Sequence, residues 1–203
     1  MQTESLRNFS QVVGRVMILQ ALFMVFTVLG LGIFGFFPSL LAVMAVARQY
    51  IRETAELSIV KMFWRFYKEM FVKANVFGLP LMAVAVLLLI NIQHFRQVDE
   101  AFSQVLIYGS YLIEAILLVL FIHGIPSIVH MEITFKNIVR GSSIITLIRP
   151  FHTVAVALMI IALGWIGYKI SIILAVFLIA PVAYLWIQIA LHAFLGFVTE
   201  TEG

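Results

Sequence analysis

The sequence contains no cysteine. That excludes a disulfide, a thiolate metal site and a cysteine nucleophile, and it leaves the redox compartment unreadable. Charge is scarce too: 11% of the 203 residues are Asp, Glu, Lys or Arg, against about 25% in an ordinary soluble domain. So few charges cannot cover a water-soluble fold of this length. Other chemistry is missing as well. There is no Gly-x-x-x-x-Gly-Lys loop to cradle nucleotide phosphates, no His-x-x-x-His or Glu-x-x-His pair for a metal, and no Ser/His/Asp order for acyl transfer. The expectation is a non-enzymatic chain without cofactor, metal or catalytic residues. Nucleic acid is excluded as a partner, because almost no basic surface lies clear of apolar sequence.

What fills the chain is apolar: 63% hydrophobic residues and a mean hydropathy of +1.10. The natural solvent is a lipid bilayer. A crossing helix needs about 20 mainly apolar residues, and Val16–Phe34, Val72–Ile92, Gln104–His123 and Ser171–Leu191 meet that. Two shorter segments, Pro38–Ile51 and Phe151–Tyr168, follow prolines. In the turn GFFPS, Gly35 is expected to end the first helix and Pro38 to begin the second. Arg7 and Arg15 precede an apolar run, Val16–Phe37, longer than a signal-peptide core of about 7–15 residues, so a retained first span is expected. The fold class is therefore all-α: a polytopic membrane bundle of about six spans in three hairpins, a single integral membrane domain over residues 1–203.

Orientation follows from the cations, because Lys and Arg accumulate in cytoplasmic loops. With six spans and a cytoplasmic N-terminus, Arg7, Arg15, Arg48, Arg52, Lys61, Arg65, Lys68, Lys73, Lys136, Arg140 and Arg149 lie inside. Only Arg96 and Lys169 lie outside, accounting for all 13 cations. If Pro38–Ile51 alone failed to cross, the best division would be nine against four. Both termini are expected inside, with cytoplasmic connections at Arg52–Phe71 and Gly124–Arg149.

The first connection holds KMFWRFYKEM. Ile59, Phe63, Phe66 and Met70 share one helical face, and Lys61, Arg65 and Lys68 the other. That pattern predicts an amphipathic helix at the cytoplasmic surface over Leu57–Met70, feeding into the third span near Val72. Lys61, Phe63, Trp64, Arg65 and Lys68 are its candidate contacts to the membrane surface or to a partner, the cations meeting anionic lipid at about 1 kcal/mol each.

Inside the spans, Glu114 is the residue that most needs explaining. An ionised carboxylate at mid-span costs about 2.5–3.5 kcal/mol on insertion scales. It reads either as a coupling site or as a polar contact between helices, with Tyr184 on the last span as a possible partner. Gln20 is a further candidate for an interhelical hydrogen bond. His94, His123, His130, His152 and His192 are too scattered to ligate a metal and read as interfacial. Trp64, Trp165 and Trp186 read as aromatic-belt residues near interfaces or in upper span positions. The echo between GFFPSLL at Gly35 and GIPSIV at Gly124, each placing Pro-Ser at a helix start, reads as coincidence.

One longer pattern carries a resemblance. GLGIFGFFPSLLAVMAVARQYI from Gly30 is followed by MFWRFYKEMFVKANVFG. The residues Phe34, Gly35, Pro38, Ala47, Arg48, Phe63, Trp64, Tyr67, Lys68, Phe71, Ala74 and Asn75 resemble the signature of the YesL family of bacterial integral membrane proteins. Pro126, His130 and Lys136 resemble that family's Pro-kinked cytoplasmic segment. At Phe37-Pro38-Ser39 many members carry Gly-Pro-Ala instead. The family has no established reaction. Its members typically occur in Firmicutes, often encoded beside carbohydrate ABC importers. The resemblance therefore implies a subunit of the bacterial cytoplasmic membrane that packs against an importer's permease. The alternative is a small independent transporter or channel using Glu114.

Overall fold

A computed structural model describes the backbone of residues 2–52, 58–98, 101–130 and 150–201, and the side chains of 10–52, 58–98, 102–129 and 150–191. The helices are α1 (Gln2–Leu29), α2 (Ile33–Ile51), α3 (Ile59–Phe95), α4 (Ala101–His130), α5 (Pro150–Lys169), α6 (Ile172–Phe177) and α7 (Ile179–Thr201). Among the described residues there is no strand. The first five helices are each long and apolar enough to cross a membrane. The short α6 and the apolar stretch Ile179–Leu191 of α7 together make a sixth apolar column. The fold is a polytopic helical membrane bundle. Lys136, Arg140 and Arg149 of the cation count lie outside the described residues, as do Met1 and Gly203.

The centre of the bundle is α2. Every residue from Phe37 to Ala47 is buried, and α2 packs against α1, α3, α4 and α7. Small side chains at Gly35, Ser39, Ala42, Ala45 and Ala47 make it a narrow rod that neighbours can approach closely, as membrane helices require. The outward surface is apolar instead: Val28, Val72, Val76, Leu87, Phe102, Leu112 and Phe151 are all exposed.

The boundary between α1 and α2 differs from the sequence expectation. The turn falls at Gly30–Gly32, with Leu31 and Gly32 at φ 59° and 75°, so Gly35 and Pro38 lie inside α2. Gly35 is needed there for space. A Cβ on it would sit 2.5 Å from the Thr27 carbonyl oxygen and 2.8 Å from that of Phe26. Pro38 is tolerated because its missing N–H is replaced. The carbonyl it would have engaged, on Phe34, accepts from Asn75 Nδ2 of α3 at 2.9 Å.

Pro126 repeats the arrangement inside α4 rather than starting a helix. The carbonyl four residues earlier, on Ile122, accepts from Trp186 Nε1 of α7 at 3.0 Å. Trp186 is therefore buried, at 3% exposure, and not an aromatic-belt residue. His123 is also interior, its Nε2 3.0 Å from Thr153 Oγ1 of α5. It is not interfacial.

The amphipathic segment is present, but as the first turns of α3, which runs unbroken for 37 residues, about 55 Å. Its two faces separate as expected, with Lys61, Arg65 and Lys68 exposed. Its apolar face seats on protein. Phe63 is fully buried, and Phe26 of α1 stacks among Phe63, Trp64 and Tyr67 at centroid distances of 5.1, 5.4 and 5.0 Å. Phe63 is thus a core residue and no contact for lipid or a partner. Aromatic packing of this kind adds about 0.5–1.5 kcal/mol per pair beyond burial, which favours the docked position.

Candidate functional site

Where α2, α3 and α4 meet there is an open-sided cavity of about 520 Å³. One wall is the N-terminal end of α2, at Phe36 and Phe37. The second comes from Gly78, Leu81, Met82 and Ala85 of α3. The third is one face of α4, from Tyr111 through Glu114 and Leu118 to Phe121. The spacing of three and four residues on α4 places these side chains in one row. Gly78 shapes the floor: the Phe37 ring occupies the space a Cβ there would take. Beside the cavity, Arg96 at the end of α3 donates a hydrogen bond to the Tyr111 hydroxyl, tying the α3–α4 hairpin together.

Glu114 is the one acidic group in this lining. Its Oε2 is sealed from solvent and has no hydrogen-bond partner. Among the described residues three other buried polar side-chain atoms lack partners, Thr27 Oγ1, Ser39 Oγ and Asn75 Oδ1, and none of those residues lines the cavity. In a hydrocarbon setting an unbonded carboxyl is costly in either protonation state. A hydrogen-bond donor or a cation entering the cavity would satisfy it once the half-buried Glu114 side chain turns this oxygen toward the opening. Tyr184, the suggested partner of Glu114, does not line this cavity. Tyr184 lies instead within electrostatic reach of Arg15, whose guanidinium stacks 4.4 Å above the Tyr50 ring.

Gln20 makes an interhelical contact of an unusual kind. Its Nε2 donates to the Val176 carbonyl at 2.9 Å, and its Oε1 accepts from the Ala180 N–H at 2.9 Å. Those two backbone groups would bond each other in an unbroken helix. The Gln20 amide has inserted into the ladder between α6 and α7, and together with Pro181, which has no N–H for the Phe177 carbonyl, it accounts for the break.

The remaining candidates lie on the outer face of α3. Lys61, Trp64, Arg65 and Lys68 are exposed, with Lys68 Nζ 4.9 Å from the Trp64 ring. The sequence reading missed a second, smaller cavity of about 260 Å³, lined by Arg48, Arg52, Gln49, Ala45, Phe66 and Val129. Arg48 Nη1 donates to the Val129 carbonyl at 2.5 Å and so joins α2 to the end of α4. The visible signal was the pair of arginines four apart at the end of an apolar helix. Among the described residues, no group of three or more His, Asp or Glu side chains is placed to hold a metal.

An all-helical bundle with an apolar exterior, polar side chains spent on backbone repair and one unpartnered intramembrane carboxyl defines a polytopic membrane protein. Residues 16–92, which span most of α1 through α3, match the family described as "Protein of unknown function, DUF624". Over that region the chain is similar to this family, in line with the YesL resemblance. It is 27% identical over 173 residues to the uncharacterized protein YteU of Bacillus subtilis, covering 83% of this chain and 75% of the relative. It is 25% identical over 166 residues to YesV of the same organism, covering 82% and 78%. It is 24% identical over 152 residues to YesL, covering 75% and 71%. No solved structure matches. The matched region contains the repairs described above: Tyr67 Oη donates to the Phe26 carbonyl at 3.2 Å, and Asn75 bonds Phe34.

Proposed function

We propose that the protein is a non-enzymatic accessory subunit of the bacterial cytoplasmic membrane, with both termini inside, which packs its α2–α3–α4 groove against the permease helices of a carbohydrate ABC importer. The observation that carries the binding role is the unpartnered Glu114 Oε2 in an open apolar cavity. Lipid tails offer it nothing, whereas a partner helix bearing a donor satisfies it. The orientation is supported by the cation asymmetry. The importer as partner is supported by the YesL resemblance. The exposed cations Lys61, Arg65 and Lys68 give the same chain a polar surface facing the motor side.

The test is importer purified and reconstituted with and without this chain, reading co-elution, ATPase rate and sugar uptake. Co-elution with altered rates is expected, lost in Glu114→Leu while the variant still folds. A second reading, a small transporter, is favoured by the cavity's volume. It predicts solute flux from this chain alone that disappears in Glu114→Gln, with no co-elution and no change in importer rates.

A further inference from the structure

By length and composition α1 and α2 could each cross, but the apolar depth of the hairpin beyond its arginines is short for its surroundings. On α1, Arg15 is followed by 14 residues up to Leu29, about 21 Å of helix. On α2, the distance from Ile33 to Arg48 is about 22 Å. The two arginines belong to the same end of the hairpin, because Arg15 stacks on Tyr50, two residues from Arg48. Both legs thus offer the same apolar depth, and it falls roughly 8 Å short of a hydrocarbon core of about 30 Å. Any tilt shortens it further.

The neighbouring helices run on past the hairpin's tip. Asn75 bonds the Phe34 carbonyl in the first turn of α2, and α3 continues to Phe95, about 30 Å beyond that contact. Arg48 bonds the Val129 carbonyl, and α4 extends from there back to Phe102, about 40 Å, nearly twice the length of α2 beyond Arg48. The tip therefore lies near the level of Glu114, half-way along α4, which is why Phe36 and Phe37 wall its cavity.

The chemistry of the tip agrees. The other two turns at that end carry Arg96 and Gln97, or Lys169 and Ser171. From Ala21 to Pro38 the only polar side chain is Thr27, and Leu31 is 83% exposed. Irregular backbone in lipid is tolerated only where its polar groups are satisfied. Here the N–H groups of Gly30, Leu31, Gly32 and Ile33 bond the carbonyls of Phe26, Val28, Thr27 and Leu31 at 2.8–3.0 Å.

We infer that α1 and α2 form a re-entrant hairpin that enters and leaves on one side of the membrane, with its Gly30–Gly32 tip held in the hydrocarbon core. The cation count stays eleven against two, because a hairpin that returns leaves both its ends on the side they occupied when both legs crossed. The transmembrane columns are then α3, α4, α5 and α6–α7. The inference does not depend on any partner.

The absence of native cysteine makes the experiment free of background. Single cysteines at Leu31, Ile33 and Gln97 in the full chain are exposed to a membrane-impermeant maleimide, in intact cells and in inverted vesicles. Leu31 is exposed and already holds a positive φ as a non-glycine residue, so the substitution disturbs no packing. Gln97 should label from one side, and Leu31 and Ile33 from neither, at least tenfold more slowly than Gln97 from either face. A nitroxide at Leu31 should show high oxygen and low nickel-chelate accessibility, as for a site deep in lipid. Labelling of Leu31 from the same side as Gln97, at a comparable rate, would overturn the inference and restore two full crossings. Labelling of Leu31 only from the opposite side would overturn it as well.

Discussion

Asn75 on α3 gives its side-chain N–H to the Phe34 carbonyl on α2, at 2.9 Å, the one backbone acceptor that Pro38 leaves without a donor. The same nitrogen also reaches the Phe71 carbonyl of its own helix at 3.0 Å. The bond thus repairs a proline defect and fixes the register of two helices at once.

That double role gives the first expectation. Asn75→Leu should lower unfolding stability in mild detergent by about 1–3 kcal/mol, the range for orphaning a buried polar group. In a Pro38→Ala background residue 38 regains its N–H and the Phe34 carbonyl no longer depends on Asn75. The Asn75→Leu cost should then fall by about 1 kcal/mol. A double-mutant cycle that shows no coupling would disprove the repair.

Trp186 and Ile122 form an independent copy of that pairing. Trp186→Phe keeps a ring beside Phe121, whose centroid lies 5.4 Å away, and removes only the donor. A loss of about 1–2 kcal/mol is expected, reduced when Pro126→Ala restores the helical bond. Thermal unfolding of the four variants decides it. Equal losses in both backgrounds would mean the indole matters only through packing.

Gly78 should not tolerate a larger residue. The Phe37 ring fills its missing Cβ position, so Gly78→Ala should cost about 1–3 kcal/mol through overpacking. Gly164, with nothing within 4 Å of its Cβ position, should accept alanine at no loss or with a slight gain. Side-by-side thermal melts in detergent compare the two directly.

Glu114→Leu should stabilise the isolated chain by about 1–3 kcal/mol, because it removes a buried group that has no partner. The same substitution should abolish partner capture. Stability gained with binding lost is the pattern of a binding residue. Stability lost would mean that Glu114 is a structural element of the bundle.

The exposed face of α3 should respond to salt. Exchanging Lys61, Arg65 and Lys68 together for Glu should weaken association of this segment with anionic vesicles. The effect should be largest at low ionic strength, since the Debye length falls from about 30 Å at 0.01 M to about 8 Å at 0.15 M. Phe63→Ala should instead unfold the chain, because Phe63 belongs to the core. Spin-label accessibility along residues 59–70 should show cationic positions in water and Phe63 shielded from both water and lipid.

The helical class and most of the apolar columns were legible in the sequence, because a bilayer leaves a long hydrophobic run few alternatives. The amphipathic pattern of Ile59–Met70 was legible as well, but not its seat. An apolar face reads the same whether it meets lipid or Phe26. Pro38 read as a helix start because proline usually is one. Its place inside α2 depends on a donor 37 residues away, which no local pattern reveals. Trp186 and His123 were misplaced at the interface for the same reason: their partners, Ile122 and Thr153, lie on other helices. Glu114 stood out from composition alone, yet its setting among Phe36, Gly78 and Tyr111 is a product of three-helix packing.

The burial of α2 has a consequence for how the chain is made. A ribosome completes Ile33–Ile51 early, but one of the helices that covers it, α7, ends at Thr201. At about 5–20 residues per second, the seat of α2 stays unfinished for roughly 8–30 s after its own synthesis. Early in that interval Phe34 waits for Asn75, and Arg48 has no Val129 to hold until α4 has been made. The first hairpin out of the translation machinery is the last to reach its final surroundings, and a chaperone or insertase that shelters it has the length of the remaining chain as its working time.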